Sequence, residues 1–177
     1  MTLQEPHALR QWLKMYICYR RSFPRAERKP FGIIVKMYRQ GKSDIWYLED
    51  QGRFAGLAST INGDGLILLD YFAVAPGRRG QGLGTAALKL LQEKYCENGL
   101  FAEIERVCPD APNAMEREKR KQFYRSCGLE PLDVQADVFG VEMELLGSRC
   151  TMTFQSYHDF YRDHYGAWAA EHIRPIE

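Results

Sequence analysis

Residues 66–95 read Leu66-Ile67-Leu68-Leu69-Asp70-Tyr71-Phe72-Ala73-Val74-Ala75-Pro76-Gly77-Arg78-Arg79-Gly80-Gln81-Gly82-Leu83-Gly84-Thr85-Ala86-Ala87-Leu88-Lys89-Leu90-Leu91-Gln92-Glu93-Lys94-Tyr95, and this stretch decides the fold. From Leu66 to Val74 the run is almost continuously apolar, the pattern of a strand buried on both faces, and Pro76-Gly77 stops it. Leu83, Ala86, Ala87, Leu90, Leu91 and Tyr95 then recur at helical spacing, which predicts a helix with one face against a sheet. Gly80, Gly82 and Gly84 alternate at its first turn. No side chain blocks a ligand there, and free N–H groups point outward at the positive end of the helix dipole. An anion, most naturally a pyrophosphate, is the expected ligand. Arg78 and Arg79 add positive charge, and the Thr85 hydroxyl adds a donor.

A dinucleotide-binding loop competes for this reading. Gly82-Leu83-Gly84-Thr85-Ala86-Ala87 satisfies G-x-G-x-x-A, and Glu103 or Glu105 lies near the distance expected of a ribose-binding acid. Such a fingerprint places its first glycine directly after the strand, however. Here the basic bend from Ala75 to Arg79 intervenes, and no further strand–helix repeats follow.

Arg79-x-x-Gly82-x-Gly84 at a strand–loop–helix junction resembles the acetyl-CoA signature Q/R-x-x-G-x-G/A of the GNAT superfamily of N-acetyltransferases, over roughly residues 45–147. The resemblance implies an α/β (α+β) fold, a mixed, mostly antiparallel, splayed sheet flanked by helices. It also implies acetyl-CoA as acyl donor and co-substrate, with no metal. Phe72, Ala73, Val74, Arg79, Gly80, Gln81, Gly82, Leu83, Gly84 and Thr85 then form the cofactor site, the pantetheine arm bonding to the main chain of Phe72 and Val74 as a pseudo-strand. Whether the acyl group is acetyl or longer stays open.

At 177 residues the chain fits one domain spanning 1–177. Its 45% hydrophobic and 27% charged residues are those of an ordinary globule, and a net charge of +1 gives no whole-molecule reason to expect nucleic acid. No apolar run is long enough to span a bilayer, and Met1-Thr2-Leu3-Gln4-Glu5-Pro6-His7 lacks a signal peptide's apolar core, so a cytoplasmic location away from membranes is expected. The five cysteines are widely spaced, without a C-x-x-C pair or a histidine at ligand spacing, and read as reduced thiols.

Before the core, Leu9, Trp12, Leu13, Tyr16 and Ile17 form an apolar helical stripe ending near Arg21, and Ser22-Phe23-Pro24 breaks it. Arg25 to Phe31 is a basic segment bounded by prolines, and Ile33, Ile34, Met37 and Tyr38 form a second stripe. By the resemblance, these helices (6–40) lie over the acceptor groove, where Phe23, Phe31 and Tyr38 are candidates for substrate contact, although such a stripe is more often plain core. Asp44–Glu49 and Arg53–Ile61 read as strands joined by a hairpin at Asp50-Gln51-Gly52.

Downstream, Glu97-Asn98-Gly99 is expected to end the cofactor helix with a left-handed cap at Asn98 or Gly99. Phe101–Val107 reads as a strand with Phe101, Glu103 and Glu105 on one face. Two carboxylates on a mid-sheet strand need partners or a task. The structural alternative is an ion pair with basic residues of the N-terminal helices. Ala102-Glu103-Ile104 is similar to the family's L-E-V, whose glutamate is a general base in enzymes acetylating protein N-termini. Glu103 and Glu105 are therefore catalytic candidates, and Asp70 is a third.

Asn113 is the expected cap of a basic helix over Ala114–Cys127. Phe123-Tyr124-Arg125-Ser126-Cys127-Gly128-Leu129 resembles the element F/L-Y-x-x-x-G-F, whose tyrosine protonates the departing CoA thiolate, which assigns Tyr124 the acid's role. The asparagine that many relatives carry seven positions earlier is replaced by Arg117, so that pantetheine contact is not transferred. Glu130–Val138 and Phe139–Leu146 read as two strands, Cys150–Phe154 as a further candidate. Ser156 to Asp159 is read as the cap of a C-terminal helix bearing Tyr157, Phe160, Tyr161 and Tyr165. This extension (150–177) covers one end of the groove or mediates a homodimer.

The function implied is acetyl transfer to a small-molecule or peptide amine by direct attack. A non-catalytic acyl-CoA sensor and a dinucleotide-dependent oxidoreductase are the alternatives.

Overall fold

The structure, a computed structural model, describes residues 1–176 and forms two compact units. The first comprises Met1–Asn62 with Leu69–Cys96. It contains β1 (Thr2–Gln4), α1 (Leu9–Ser22), α2 (Phe31–Arg39), β2 (Ser43–Asp50), β3 (Arg53–Asn62), the end of β4 (Leu66–Val74) and α3 (Leu83–Lys94). β1 runs antiparallel to β2, and β2 to β3, with Ser43 opposite Ile61 and Asp50 opposite Arg53. Gln51 and Gly52 adopt φ of 49° and 70°, the two left-handed residues of the hairpin turn expected there.

One irregularity shapes the approach to the loop. The β2–β3 register steps from Leu48 opposite Gly56 to Glu49 opposite Phe54, which leaves Ala55 as an extra residue. Its carbonyl accepts the Ala75 N–H at 2.8 Å, just beyond the end of β4.

Met15, Cys18, Tyr19, Ile34, Ile45, Tyr47, Leu57, Tyr71 and Ala73 form a core of this unit, with Trp12, Phe23, Phe31 and Tyr38 packed against it. The expected inward stripe of α1 is corrected here: Leu9 is 85% exposed and Leu13 57%, while Met15, Cys18 and Tyr19 are buried. The buried face is turned by roughly a third of a turn from the expected one. Tyr19 decides the orientation, because its ring meets Tyr71 edge-on at 4.9 Å and its hydroxyl donates to the Lys29 carbonyl at 2.9 Å.

The second unit comprises Gly63–Leu68 with Glu97–Glu177. It contains the start of β4, β5 (Gly99–Glu105), α4 (Ala114–Ser126), β6 (Glu130–Val138), β7 (Val141–Ser148), α5 (Phe154–Tyr165), α6 (Ala167–Ala170) and β8 (Ile173–Pro175). Leu66, Ile67 and Leu68 pair in parallel with Gly99, Leu100 and Phe101. The β5–β7, β6–β7 and β6–β8 pairs are antiparallel. The strand order β1-β2-β3-β4-β5-β7-β6-β8 is the mixed, mostly antiparallel sheet expected from the sequence.

Three local expectations are corrected. The cofactor helix ends at Tyr95 (φ −105°, ψ 34°), and neither Asn98 nor Gly99 is left-handed. Gly99 begins β5 instead, where a Cβ would stand 2.5 Å from Cys150 Cβ, so close packing requires the glycine. Cys150–Phe154 forms no strand, and Thr153 caps α5, its hydroxyl accepting from Ser156 N.

Candidate functional site

The loop between β4 and α3 is braced by its own arginines. The Arg78 guanidinium meets Asp50 Oδ2 at 2.7 Å and approaches Gln81 Oε1 at 3.4 Å. Arg79 turns back, its Nε donating to the Val74 carbonyl at 3.3 Å and another guanidinium N–H to Ser22 Oγ at 3.4 Å. Between these props, Gly80 and Gly82 adopt φ of 75° and 72°, and a Cβ built on either meets no heavy atom within 4 Å. Backbone conformation, not crowding, therefore calls for glycine at both positions, and the exposed main chain of Gly80, Gln81 and Gly82 stays bare.

Gly82 is the N-cap of α3, and its carbonyl accepts from Ala86 N at 3.1 Å. The amides of Leu83, Gly84 and Thr85 precede that first intrahelical bond, at the positive end of a 12-residue helix. Amides so oriented suit a phosphate.

The other end of α3 is anchored by a buried network the sequence reading did not find. Tyr95 OH donates to Asp44 Oδ2 at 2.6 Å and accepts from Trp46 Nε1–H at 2.9 Å and, its own hydrogen being committed, from the Thr60 hydroxyl at 2.9 Å. Burial, then the hydrogen bond to Asp44, pushes the phenol's pKa up. The signal was available: a Trp N–H and a Tyr O–H on buried faces need partners.

Asp70, the third carboxylate candidate, is ion-paired to Lys29 Nζ at 2.7 Å. Tyr71 beside it accepts from Lys29 N at 3.1 Å and donates to the Glu27 carbonyl at 3.0 Å. Together these tie the proline-bounded basic segment to β4.

In the second unit, β5 presents Phe101, Glu103 and Glu105 at alternate positions. Phe101 is fully buried, its ring edge-on to Tyr157 at 6.5 Å and Phe160 at 5.2 Å. Glu103 accepts from Tyr157 OH at 2.7 Å (Oε1) and from Tyr161 OH at 2.8 Å (Oε1) and 3.0 Å (Oε2). Glu105, 7% exposed, meets Arg117 at 2.8 Å and Arg120 at 3.1 Å. Its partners thus come from α4 rather than from the N-terminal helices.

Arg117 serves three acceptors at once, donating also to the Arg106 carbonyl at 2.9 Å and to Asn113 Oδ1 at 2.8 Å. Asn113 makes no side-chain cap of α4; its amide faces Glu105 Oε2 at 3.4 Å instead.

Tyr124 is buried on α4, and burial pushes its pKa up to about 12, the Arg120 charge acting in the opposite direction. The Tyr-x-x-x-Gly spacing has a structural cause. Gly128 (φ 85°) is the left-handed residue after the helix, Gly128 N donates to Arg125 O at 2.9 Å, and Leu129 N donates to Tyr124 O at 3.1 Å. This Schellman closure fixes the tyrosine one turn from the end of α4.

The first unit thus gathers Phe72, Ala73, Val74 and residues 79–85 around one loop, and the second gathers Glu103, Glu105 and Tyr124 on β5 and α4. Tyr157 and Tyr161 are the partners of Glu103 that sequence reasoning did not assign. Among the described residues no cluster of three His, Cys, Asp or Glu side chains is placed to hold a metal ion, and no helix is long and apolar enough to cross a membrane.

The family model described as "Acetyltransferase (GNAT) domain" matches residues 41–131. No curated protein matches the chain. Among solved structures, a protein from Bacteroides thetaiotaomicron assigned to the GNAT family superposes with a TM-score of 0.78 at 20% identity, covering 94% of this chain and 99% of that one. The ribosomal-protein-S18-alanine N-acetyltransferase of Escherichia coli gives 0.63 at 19% identity, covering 86% and 95%. An aminoglycoside 6′-N-acetyltransferase complexed with coenzyme A gives 0.66 at 14% identity, covering 84% and 96%.

Proposed function

The chain belongs to the GNAT acetyltransferase domain family, and from that premise we propose that it transfers an acetyl group from acetyl-CoA to a primary amine of a small molecule or peptide in the cytoplasm. The observation that carries this reading is the bare left-handed backbone at Gly80 and Gly82, leading into the amides of Leu83, Gly84 and Thr85. CoA's diphosphate docks there, with the charges of Arg78 and Arg79 behind it. The pantetheine arm follows the main chain of Phe72, Ala73 and Val74.

The amine nitrogen attacks the thioester carbon. A C–N bond forms and the C–S bond breaks. The ammonium proton passes to Glu103, directly or through water, and Tyr124 gives its proton to the departing sulfur. A phenol whose pKa is about 12 keeps its proton at neutral pH, as the acid's part requires. Glu103 is preferred to Glu105 as base because two guanidiniums occupy the Glu105 carboxylate. Glu105 then serves to hold α4, and Tyr124 with it, against β5. Because a thioester is already an activated acyl donor, positioning supplies most of the acceleration. Solved relatives that act on a protein alanine and on an aminoglycoside support an amine acceptor.

Thiol release from acetyl-CoA, measured over a panel of amino acids, polyamines, aminoglycosides and peptide N-termini, tests the proposal. Turnover with at least one amine is expected. Tight binding of acetyl-CoA with no turnover on any of them would make the chain an acyl-CoA sensor instead.

A further inference from the structure

Helix α1 buries Met15, Cys18 and Tyr19 and turns a second apolar stripe, Leu9, Leu13, Tyr16 and Ile17, out to solvent. A surface helix ordinarily puts polar residues on its outer face. Here the outer face holds that stripe and, beside it, Arg10, Lys14 and Arg21, with Arg20 near its C-terminal end. At about 100° of rotation per residue, Arg10, Lys14 and Arg21 fall along one edge of the stripe. α1 contains no acidic residue, and none of these cations meets a carboxylate among the described residues.

α2 repeats the pattern. It packs beside α1 through Phe31 with Tyr16 at 5.4 Å and Tyr38 with Trp12 at 5.8 Å, and its exposed residues are Gly32, Ile33, Lys36 and Arg39. From Leu9 to Arg39 every exposed charge among the described residues is basic, in a chain whose 24 basic and 23 acidic side chains nearly balance. Positive charge is thus segregated onto the two helices that leave apolar side chains outside.

Such a face suits a surface that is both apolar and negative. A second copy does not qualify, because an isologous contact would set the row of cations against the same row. An acidic protein would have to present carboxylates and apolar side chains in register with both helices. An anionic lipid leaflet meets the requirement in any register. Its acyl region takes Leu9, Leu13 and Ile17, while Tyr16 and the basic row stay at headgroup depth.

We propose that the face formed by α1 and α2 docks the protein reversibly on an anionic phospholipid surface. Contact of this kind needs no spanning segment, so the shortness of the chain's apolar runs does not bear on it.

Cosedimentation of the full chain with vesicles of phosphatidylcholine alone, or of equal parts phosphatidylcholine and phosphatidylglycerol, tests the proposal. The partition coefficient should be at least about tenfold higher on the anionic vesicles and should fall steeply as salt is raised. Leu13→Gln/Ile17→Gln and Lys14→Gln/Arg21→Gln should each lower it by at least about tenfold. Lys119→Gln/Arg174→Gln removes the same charge from exposed positions elsewhere and should leave it within about twofold.

A parent that binds neither vesicle, or both equally, overturns the inference whatever the variants do. So does a loss of binding in Lys119→Gln/Arg174→Gln equal to that in Lys14→Gln/Arg21→Gln, which would make the attraction one of bulk charge. A parent that ignores vesicles yet holds polyglutamate through Lys14 and Arg21 overturns it in favour of an acidic protein. A dimer dissolved by Leu13→Gln/Ile17→Gln, without vesicle binding, overturns it in favour of self-association. Vesicle binding reads no acetyl transfer, so its failure leaves the proposed reaction standing.

Discussion

Replacing Gly56 with alanine should damage both the stability of the first unit and its hold on CoA. A Cβ at this position would stand 2.2 Å from the Ala73 carbonyl oxygen, 3.0 Å from Val74 Cα and 3.1 Å from the Ala73 carbonyl carbon. All three are main-chain atoms, so no rotamer change relieves the contact, and the shortest must open by more than about 1 Å to reach ordinary van der Waals distance. That places the cost at the upper end of overpacking, about 3 kcal/mol, or a fall in Tm of about 6–12 °C for a chain of this length. The displaced atoms lead directly into the loop: Ala75 N hangs on the Ala55 carbonyl at 2.8 Å and Arg79 Nε on the Val74 carbonyl at 3.3 Å. CoA affinity should therefore weaken by roughly tenfold, equivalent to about 1.4 kcal/mol. Differential scanning calorimetry and isothermal titration with CoA read the two effects. Gly32→Ala in α2 is the control. With nothing within 4 Å of its Cβ and no positive φ, it should gain up to about 1 kcal/mol. A Gly56→Ala protein that melts with the parent and binds CoA equally well would refute the reasoning.

Glu105→Gln should destabilise by about 2 kcal/mol in urea titrations, because it strands the Arg117 guanidinium, which is 18% exposed, whereas Arg120 at 41% finds water. Glu142→Gln, which breaks the exposed pair with Arg106, should change stability by less than about 0.5 kcal/mol. Tyr124→Phe should lower kcat about a hundredfold and leave CoA affinity unchanged, as measured by thiol release and calorimetry. Tyr19 and Tyr124 have pKa values raised from 10.0 to about 12, so the folded state keeps protons that the unfolded chain releases. Their contribution to stability is complete below pH 10 and is lost as pH rises through about 12, and Tm measured against pH should be less steep over that window in Tyr19→Phe.

The loop was legible in the sequence because each of its features has a local cause. A proline-stopped strand and an apolar helical stripe are written in consecutive residues, and Leu66–Val74 and Leu83–Lys94 form the strand and helix expected, while the positive φ of Gly80 and Gly82, which places both glycines before the helix instead of in its first turn, is a finding of the structure. Tyr124 was singled out by the resemblance of Phe123–Leu129 to a family element, and the structure adds that Gly128 in this element closes α4. Properties set by tertiary contacts were not legible. α1 is apolar on more than one side, and the choice of Met15, Cys18 and Tyr19 over Leu9 and Leu13 rests on contacts such as Tyr19 with Tyr71, 52 residues away. The aromatic stripe of α5 was visible, but its target was not: 54 residues separate Tyr157 from Glu103. Asn113 reads as a cap by residue type, and a buried carboxylate and an arginine took its side chain instead. The three-residue strands β1 and β8 are too short to show a period.

Calorimetric titration of acetyl-CoA into the parent and into a Gly80→Asp/Gly82→Asp protein of unchanged circular dichroism probes the anion site itself. Two carboxylates set against the α3 amides should weaken binding by at least about a hundredfold, close to 3 kcal/mol. Parental affinity in that variant would mean the diphosphate binds elsewhere, and the assignment of this loop would be wrong.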